Sequence, residues 1–454
     1  MPLATAPGNG ITKLTNCRLV RGSDLVWDDI WVSSATGKIL RSQSTFYDEL
    51  ILPDETIDLG GRIVSPGFIE CQLNGAYGFN FSTVLDDMSQ YAKKVRNLNR
   101  RLVRTGVTSY VPTVTSQTSH LYKKVLPHLG PSGRTRVAED GAESLGAHLE
   151  GPFLNPGKNG VHNTKVLREA ESIADLEEMY GAKNINPAVA GTALPIPVKM
   201  ITAAPELGQM TKIIPELRSR GIVCSIGHSE ATYEEASAAV AAGATMITHL
   251  FNAMRPLHHR NPGIFGVLGT ANNNNDNDND NSSRPYFGII ADGIHLHPAT
   301  TKIAWNAHPA GFILVTDAMH LVGLPDGTYP WTNGGEAADH FITKKGAVLL
   351  LEGSDHTIAG SSIALLDCVN NFLRWSGASV PEALRAVTAT PAAMLGVQPA
   401  KGSLEAGADA DLVVLDDETG TVEGMGRSLA VHQVWKFGAK VFDRASEAEA
   451  GEGV

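Results

Sequence analysis

The stretch IVCSIGHSEATYEEASAAVAAGATMITHLFN, residues 222–252, decides the fold. It opens on an apolar run of strand length that stops at Gly227-His228-Ser229. A segment with helical patterning follows over residues 230–243 and ends on Gly243. A second apolar run then stops at His249. Strand, helix, strand is the signature of a parallel pair joined by a crossover. Both strands finish on a histidine, which is an unusual residue with which to close a buried apolar run.

The same rhythm extends in both directions. Apolar runs recur at IVSPGFIEC (63–71), VTSYVPT (107–113), LGAHLEG (145–151), VKMITAAPE (198–206), YFGIIADG (286–293) and FILVTDA (312–318). With the two runs of the opening stretch they make eight strands. Helical patterns such as DDMSQYAKKVRNLNRRLVR (86–104) lie between several of them. Eight strand–helix units predict an α/β fold, a (β/α)8 TIM-like barrel over residues 63–396. A doubly wound open sheet has the same element count and is the alternative. Residues 11–60 alternate apolar and polar between Gly and Asp turns, and the texture returns in ADLVVLDD, VHQVWKFG and AKVFD. Residues 1–62 and 397–454 are therefore expected to build one small β-sandwich from both parts of the chain.

Composition narrows the function. The 454 residues are 43% hydrophobic and 19% charged, with a formal net charge of −11. That surface disfavours nucleic acid and anionic membrane as partners, and leaves an anionic small substrate dependent on a local basic pocket. Cys17, Cys71, Cys224 and Cys368 are scattered, with no CxxC pair. The first residues, MPLATAPGNGITKL, lack an apolar signal core, and no run of 18 apolar residues occurs. A cytoplasmic location with reduced thiols is expected.

In such a barrel, chemistry gathers at the C-terminal strand ends. Read in order, those ends carry Gln72 and Asn74, then His148 and Glu150, then Ala-Ala-Pro-Glu with no lysine. The later strands give His228, His249 with Asn252, Asp292 with His295, and Asp317. Taken singly, each has a bland reading: His228 precedes a helix that Ser229 could cap, and His249 could be a bonded core residue. Jointly, Glu150, His228 and His249 converge on one rim, and two imidazoles with a carboxylate suit a catalytic divalent metal with an open position for water. Asp317, closing an apolar run, is the general base facing that water. Gln72 and Asn74 are weak ligands beside imidazole, so one metal ion per subunit is expected. Gln72 is placed near that ion and Asn74 is expected to support the loop.

Three further stretches stand out. GPFLNPGKNGVHN (151–163) is a loop carrying His162, without the spacing of a phosphate-binding P-loop. HHRNPGIFG (258–266) carries Arg260, either a phosphate grip or an ordinary basic surface residue. NNNNDNDNDNSSR (272–284) cannot bury a core and reads as a disordered surface loop.

Together, SPGFIECQLNGAYGFNFS, HLEGPFLNPGKNGVHN, GHSEATYEEA, THLFNAM, ADGIHLHP, LVTDA and TIAGSS resemble the N-acetylglucosamine-6-phosphate deacetylase family of the amidohydrolase superfamily, over about residues 60–440. KGSLEAGADADLVVLD resembles that superfamily's return into its β-sandwich. The resemblance implies Glu150, His228 and His249 as metal ligands and Asp317 as acid/base. It implies His162, Asn252, Ala253, Arg260, His295, Ile358, Ala359 and Gly360 as substrate contacts. It also implies a homodimer in which Arg260 reaches the phosphate across the interface. The reaction implied is metal-assisted hydrolysis of a phosphorylated amino sugar's acetamide, with His162 on the oxyanion; the two imidazoles and one carboxylate suit Zn first, and also Fe, Co or Mn. The sequence departs from the family in having Glu70 where Asp is frequent, Ala359 where Ser is frequent, and the 272–284 insertion.

Two other readings stand beside this one. Cyclic amidases and deaminases of the superfamily usually begin with His-x-His and bridge two metals with a modified lysine, whereas Gln-x-Asn and Ala-Ala-Pro-Glu stand here. An inactive scaffold would have eroded ligands, and the Glu, His, His, Asp set is intact.

Overall fold

The computed structural model describes residues 8–191, 195–269, 284–332, 340–353, 357–418 and 427–451. Apart from Arg284, the 272–284 stretch lies outside the described residues.

The central sheet has eight barrel strands: β1 (Phe68–Leu73), β2 (Val107–Val114), β3 (Ala147–Glu150), β4 (Val198–Ala203), β5 (Val223–Ile226), β6 (Met246–Ile247), β7 (Tyr286–Ile290) and β8 (Phe312–Val315). Each pairs in parallel with the next in sequence from β1 to β8. Every residue of β1, β2, β3 and β8 is buried. Both faces of such strands are covered, which is why they read as unbroken apolar runs.

The helix between β5 and β6, Tyr233–Ala242, starts in a capping box of Thr232 and Glu235 and stops at Gly243, whose φ is 116°. Thr232 is thus the cap. Ser229, the cap of the bland reading of His228, instead donates its hydroxyl to Glu206 at 2.7 Å.

The seam between β8 and β1 closes differently from the other pairs. A single parallel bridge joins Leu73 to Ala318, and the Asn74 N–H donates to the Ala318 carbonyl at 2.8 Å. Below it, the buried Glu70 carboxylate accepts from the backbone N–H of Gln72 at 3.0 Å and of Thr316 at 3.2 Å. A side-chain acceptor thereby takes the place of a ladder carbonyl. Burial pushes the Glu70 carboxyl up to about 8, against the lowering effect of those bonds.

The run 63–71, expected as one barrel strand, is divided. Ile63–Pro66 belongs to the β domain, pairing with Leu412–Asp417 and Ile11–Arg21, and only Phe68 onward enters the barrel. At the crossing, a Cβ on Gly67 would lie 2.0 Å from Thr108 Oγ1, so glycine is required there. The β domain draws on both parts of the chain, and its strands form one eight-stranded sheet around its own core of Leu14, Leu19, Val32, Val64, Leu412, Val414 and Trp435.

A buried ionic cluster fastens this domain to the barrel. Lys401 Nζ contacts Glu143, Asp409 at 2.8 Å and Asp411 at 2.7 Å. Lys436, with no exposed surface, contacts Glu143 at 2.6 Å and Asp411 at 2.8 Å. The three carboxylates are close enough to one another to hold a metal, but the two ammonium groups, with Lys38 and Arg136 each 2.8 Å from Asp409, already neutralise them. Removing one charge strands the others in a buried site. Lys401→Met is expected to cost about 3–5 kcal/mol, read as a lower denaturant midpoint with turnover per folded molecule unchanged. A midpoint equal to wild type would show that the cluster is not what holds the domains together.

A second, antiparallel sheet rises after β8: Gly327–Trp331, His340–Lys345, Val348–Leu351 and Ile358–Ser361. Sequence reading assigned nothing to most of it. It is anchored to the barrel rim by the Ala318–Ser361 bridge and by the Met319 N–H donating to Ser361 at 2.9 Å.

Candidate active site

The C-terminal ends of the barrel strands surround a cavity of about 200 Å3. Glu150 closes β3, while His228 and His249 sit just beyond β5 and β6. The Nε2 atoms of His228 and His249 lie 3.2 and 3.1 Å from Glu150 Oε1 and 3.0 Å from each other. All three side chains are buried.

His228, His249 and Asp317 have φ values of 49°, 27° and 48°. Non-glycine residues seldom adopt this left-handed backbone, and its concentration on these three marks strain at the site. Phe251 and Ala253, in the loop after β6, share it.

The donor set fits a cation. His228 Nδ1 lies 2.8 Å from the Lys158 carbonyl, which can only accept, so the neutral ring carries its lone pair on Nε2. That lone pair, the second imidazole and the Glu150 carboxylate converge in one buried group. Burial pushes the Glu150 carboxyl up, but the nearness of His228 and His249 outweighs it and holds it well below its usual range. Glu206 braces this side. It accepts from Asn155 Nδ2 at 2.9 Å, Ser229 at 2.7 Å and the Glu230 N–H at 2.7 Å, and so ties together the loops after β3 and β5.

Asp317 faces this group from β8. Its Oδ1 accepts from Asn74 Nδ2 at 2.8 Å and Gln72 Nε2 at 3.2 Å, and Gln72 Nε2 also donates to Glu150 Oε1 at 3.0 Å. Gln72 therefore spans the two carboxylates. Asn74, expected to support the loop, does so through its backbone carbonyl, which accepts from Phe81 at 3.1 Å. Its side chain holds Asp317 and lines the cavity instead. Burial, then the Glu150 charge, push the Asp317 carboxyl up to about 6.

His162 lies beside His228, with ring centroids 4.6 Å apart. Its Nδ1 accepts the Ser116 N–H at 3.2 Å and sits 2.8 Å from the Ser116 hydroxyl. Burial pushes its pKa down to about 3, so the ring is neutral. With Nδ1 an acceptor, the ring proton is on Nε2, and His162 is a hydrogen-bond donor to the cavity it lines. His295 is held by Asp292 Oδ2 at 2.6 Å from its Nδ1. Below the site, His148 Nε2 meets Thr202 Oγ1 at 2.7 Å, and the chain continues to Thr248 and Ser225. His148 belongs to this polar layer and not to the metal group; burial pushes its pKa down to about 4.

Asn252, Ala253, His295, Ile358, Ala359 and Gly360 line the same cavity as Glu150, His228, His249 and Asp317. Arg260 does not: it is exposed in the loop after β6. Sequence reading missed Thr115 in the lining, the apolar wall of Val161, Ile290, Met319 and Trp331, and Ser116, which sets the His162 tautomer.

A family model described as the amidohydrolase family matches residues 63–441. The chain is 42% identical to N-acetylglucosamine-6-phosphate deacetylase of Danio rerio, covering 94% of this chain and 97% of the relative. It is 40% identical to the Homo sapiens enzyme of the same name over 91% and 93%. Among solved structures, the N-acetylglucosamine-6-phosphate deacetylase of Thermotoga maritima superposes with a TM-score of 0.71 at 28% identity, covering 95% of this chain and 99% of that one. A mutant Mycobacterium smegmatis deacetylase in complex with N-acetyl-D-glucosamine-6-phosphate gives 0.72 at 27% identity, over 96% and 100%.

Proposed function

The chain belongs to the amidohydrolase family, in its N-acetylglucosamine-6-phosphate deacetylase branch, and on that footing we propose that Glu150, His228 and His249 hold one divalent metal ion while Asp317 moves the protons. The protein removes the acetyl group of N-acetylglucosamine 6-phosphate, giving glucosamine 6-phosphate and acetate. The observation that carries the residue assignment is the meeting of two Nε2 atoms and one carboxylate oxygen within 3.2 Å, with Asp317 across the same cavity.

When bound, the ion supplies Lewis-acid activation of the acetamide carbonyl and of water. Asp317 takes one proton from the attacking water as the new C–O bond forms. His162 donates Nε2–H to the carbonyl oxygen as that atom gains charge. Asp317 then returns its proton to the amine nitrogen as the C–N bond breaks. Gln72 and Asn74 keep Oδ1 of Asp317 fixed throughout. A carboxyl pushed up to about 6 is matched to taking and giving a proton near neutral pH.

Zn is the ion we assign, and Fe, Co and Mn suit the same donors. Gln72 and Asn74 offer amides where a second ion would need imidazoles, so the site is mononuclear. His295, Asn252, Ala253 and Ile358–Gly360 contact the sugar phosphate. Arg260, exposed outside its own cavity, serves the partner subunit's phosphate in a homodimer. The buried free cysteines suit the cytoplasm, and no helix among the described residues is long and apolar enough to cross a membrane.

Acetate release from N-acetylglucosamine 6-phosphate, measured beside the unphosphorylated sugar, tests the reading. Turnover of the phosphorylated sugar with metal content near one per subunit is expected. No release from either sugar after metal reconstitution would overturn it.

A further inference from the structure

Beside the catalytic cavity lies a larger one, of about 470 Å3, lined by Ser82, Leu85, Gln117, His120, Lys124 and Thr332 among others. Adjacent residues line the two cavities at two places. Trp331 lines the catalytic cavity, and the next residue, Thr332, lines the neighbour. Thr115 lines the catalytic cavity, and its N–H and hydroxyl bond Ser82 Oγ of the neighbour at 3.0 and 3.1 Å. Trp331 is only 4% exposed and packs in the small core of the second sheet with Met319, Ile342 and Ala359.

The barrel sets the direction of the substrate. On the functional reading above, Asn252 and Ala253, after β6, and His295, after β7, contact the sugar phosphate. The reacting carbonyl is fixed at the centre, between Asp317 and the Glu150–His228–His249 group. In a planar trans amide the acyl carbon points away from the sugar nitrogen's substituent. The acyl group is thus directed away from β6. Four strands on, across an eight-stranded barrel, stands β2, which leads into Thr115. There the apolar wall is Trp331.

We propose that Trp331 is the specificity-determining residue for acyl length: its indole, with Thr115, ends the pocket at an acetyl group and closes off the neighbouring cavity. A shorter side chain at this position opens one cavity into the other and admits longer acyl groups. The proposal rests on the substrate contacts assigned above.

The test is the ratio of kcat/KM for N-butyrylglucosamine 6-phosphate to that for the N-acetyl substrate, in wild type, Trp331→Ala and Trp331→Leu. Wild type is expected to prefer acetyl strongly, and Trp331→Ala to raise the ratio by about 10–100-fold, the range that one or two methylenes command in an apolar pocket. Trp331→Leu keeps an apolar group in the small core and is expected to raise the ratio by a smaller factor, so it carries the test if the alanine variant does not fold. A ratio within about twofold of wild type, in a folded variant that still hydrolyses the N-acetyl substrate, overturns the proposal. Failure of wild type to release acetate at all would instead strike the functional reading beneath it.

Discussion

Asp317→Asn is expected to lower kcat by about a thousandfold, within the 10²–10⁴ range of a single general acid–base, while leaving metal content and fold intact. The side chain is isosteric, and its Oδ1 can still accept from Asn74 and Gln72 as the carboxylate does. What it cannot do is carry a proton from water to the amine. The loss corresponds to about 4 kcal/mol of barrier. Because Asp317 is not among the three converging ligand atoms, added metal will not restore the rate. Steady-state kinetics and metal analysis on the same preparation check this, and a rate within tenfold of wild type would remove Asp317 from its assigned role.

Glu150→Gln is expected to fail in the opposite order. Glu150 contributes the one negative charge of the ligand group, with both imidazoles against its Oε1. Neutralising it leaves two imidazoles to hold a divalent ion, and activity after dialysis should fall below about 1% of wild type. Excess metal should restore part of it, since His228 and His249 remain. Rescue by metal here and none in Asp317→Asn separates ligand from proton carrier. A dialysed Glu150→Gln protein that keeps one tightly held ion would contradict the ligand assignment.

How much of this was legible in the sequence depends on the physics of each element. All eight barrel strands were readable, because strands covered on both faces must be apolar along their length and each is closed by a polar residue at the rim. The division at Gly67 was hidden, because Ile63–Pro66 and Phe68–Leu73 are equally buried and form one apolar run. The second sheet escaped because its strands are partly exposed and their alternation is shallow. The hairpin across Gly346, between Lys345 and Val348, was the signal that could have found it. Trp331 was lost with that sheet. At the site, residue types announced Glu150, His228, His249 and Asp317, but not their supports. The bond from Asn74 to Asp317 spans 243 residues, and only barrel closure brings the two together. Glu70 read as a family variation, when it is the acceptor that completes the seam. Glu206 read only as a missing lysine.

The eight-stranded sheet of the β domain also imposes an order in time. Val64 pairs with Val414, about 350 residues later in the chain. At a synthesis rate of 5–20 residues per second, the N-terminal strands wait roughly 20–70 s for their partner. Throughout that wait the edge at Ile63–Pro66 is unpaired and apolar, the kind of surface that recruits foreign strands. The catalytic barrel is made in the interval, so strands made about 350 residues later close a domain whose first half has long been exposed. Protection of a nascent edge is therefore a cost of expressing this architecture, independent of how stable the finished protein is.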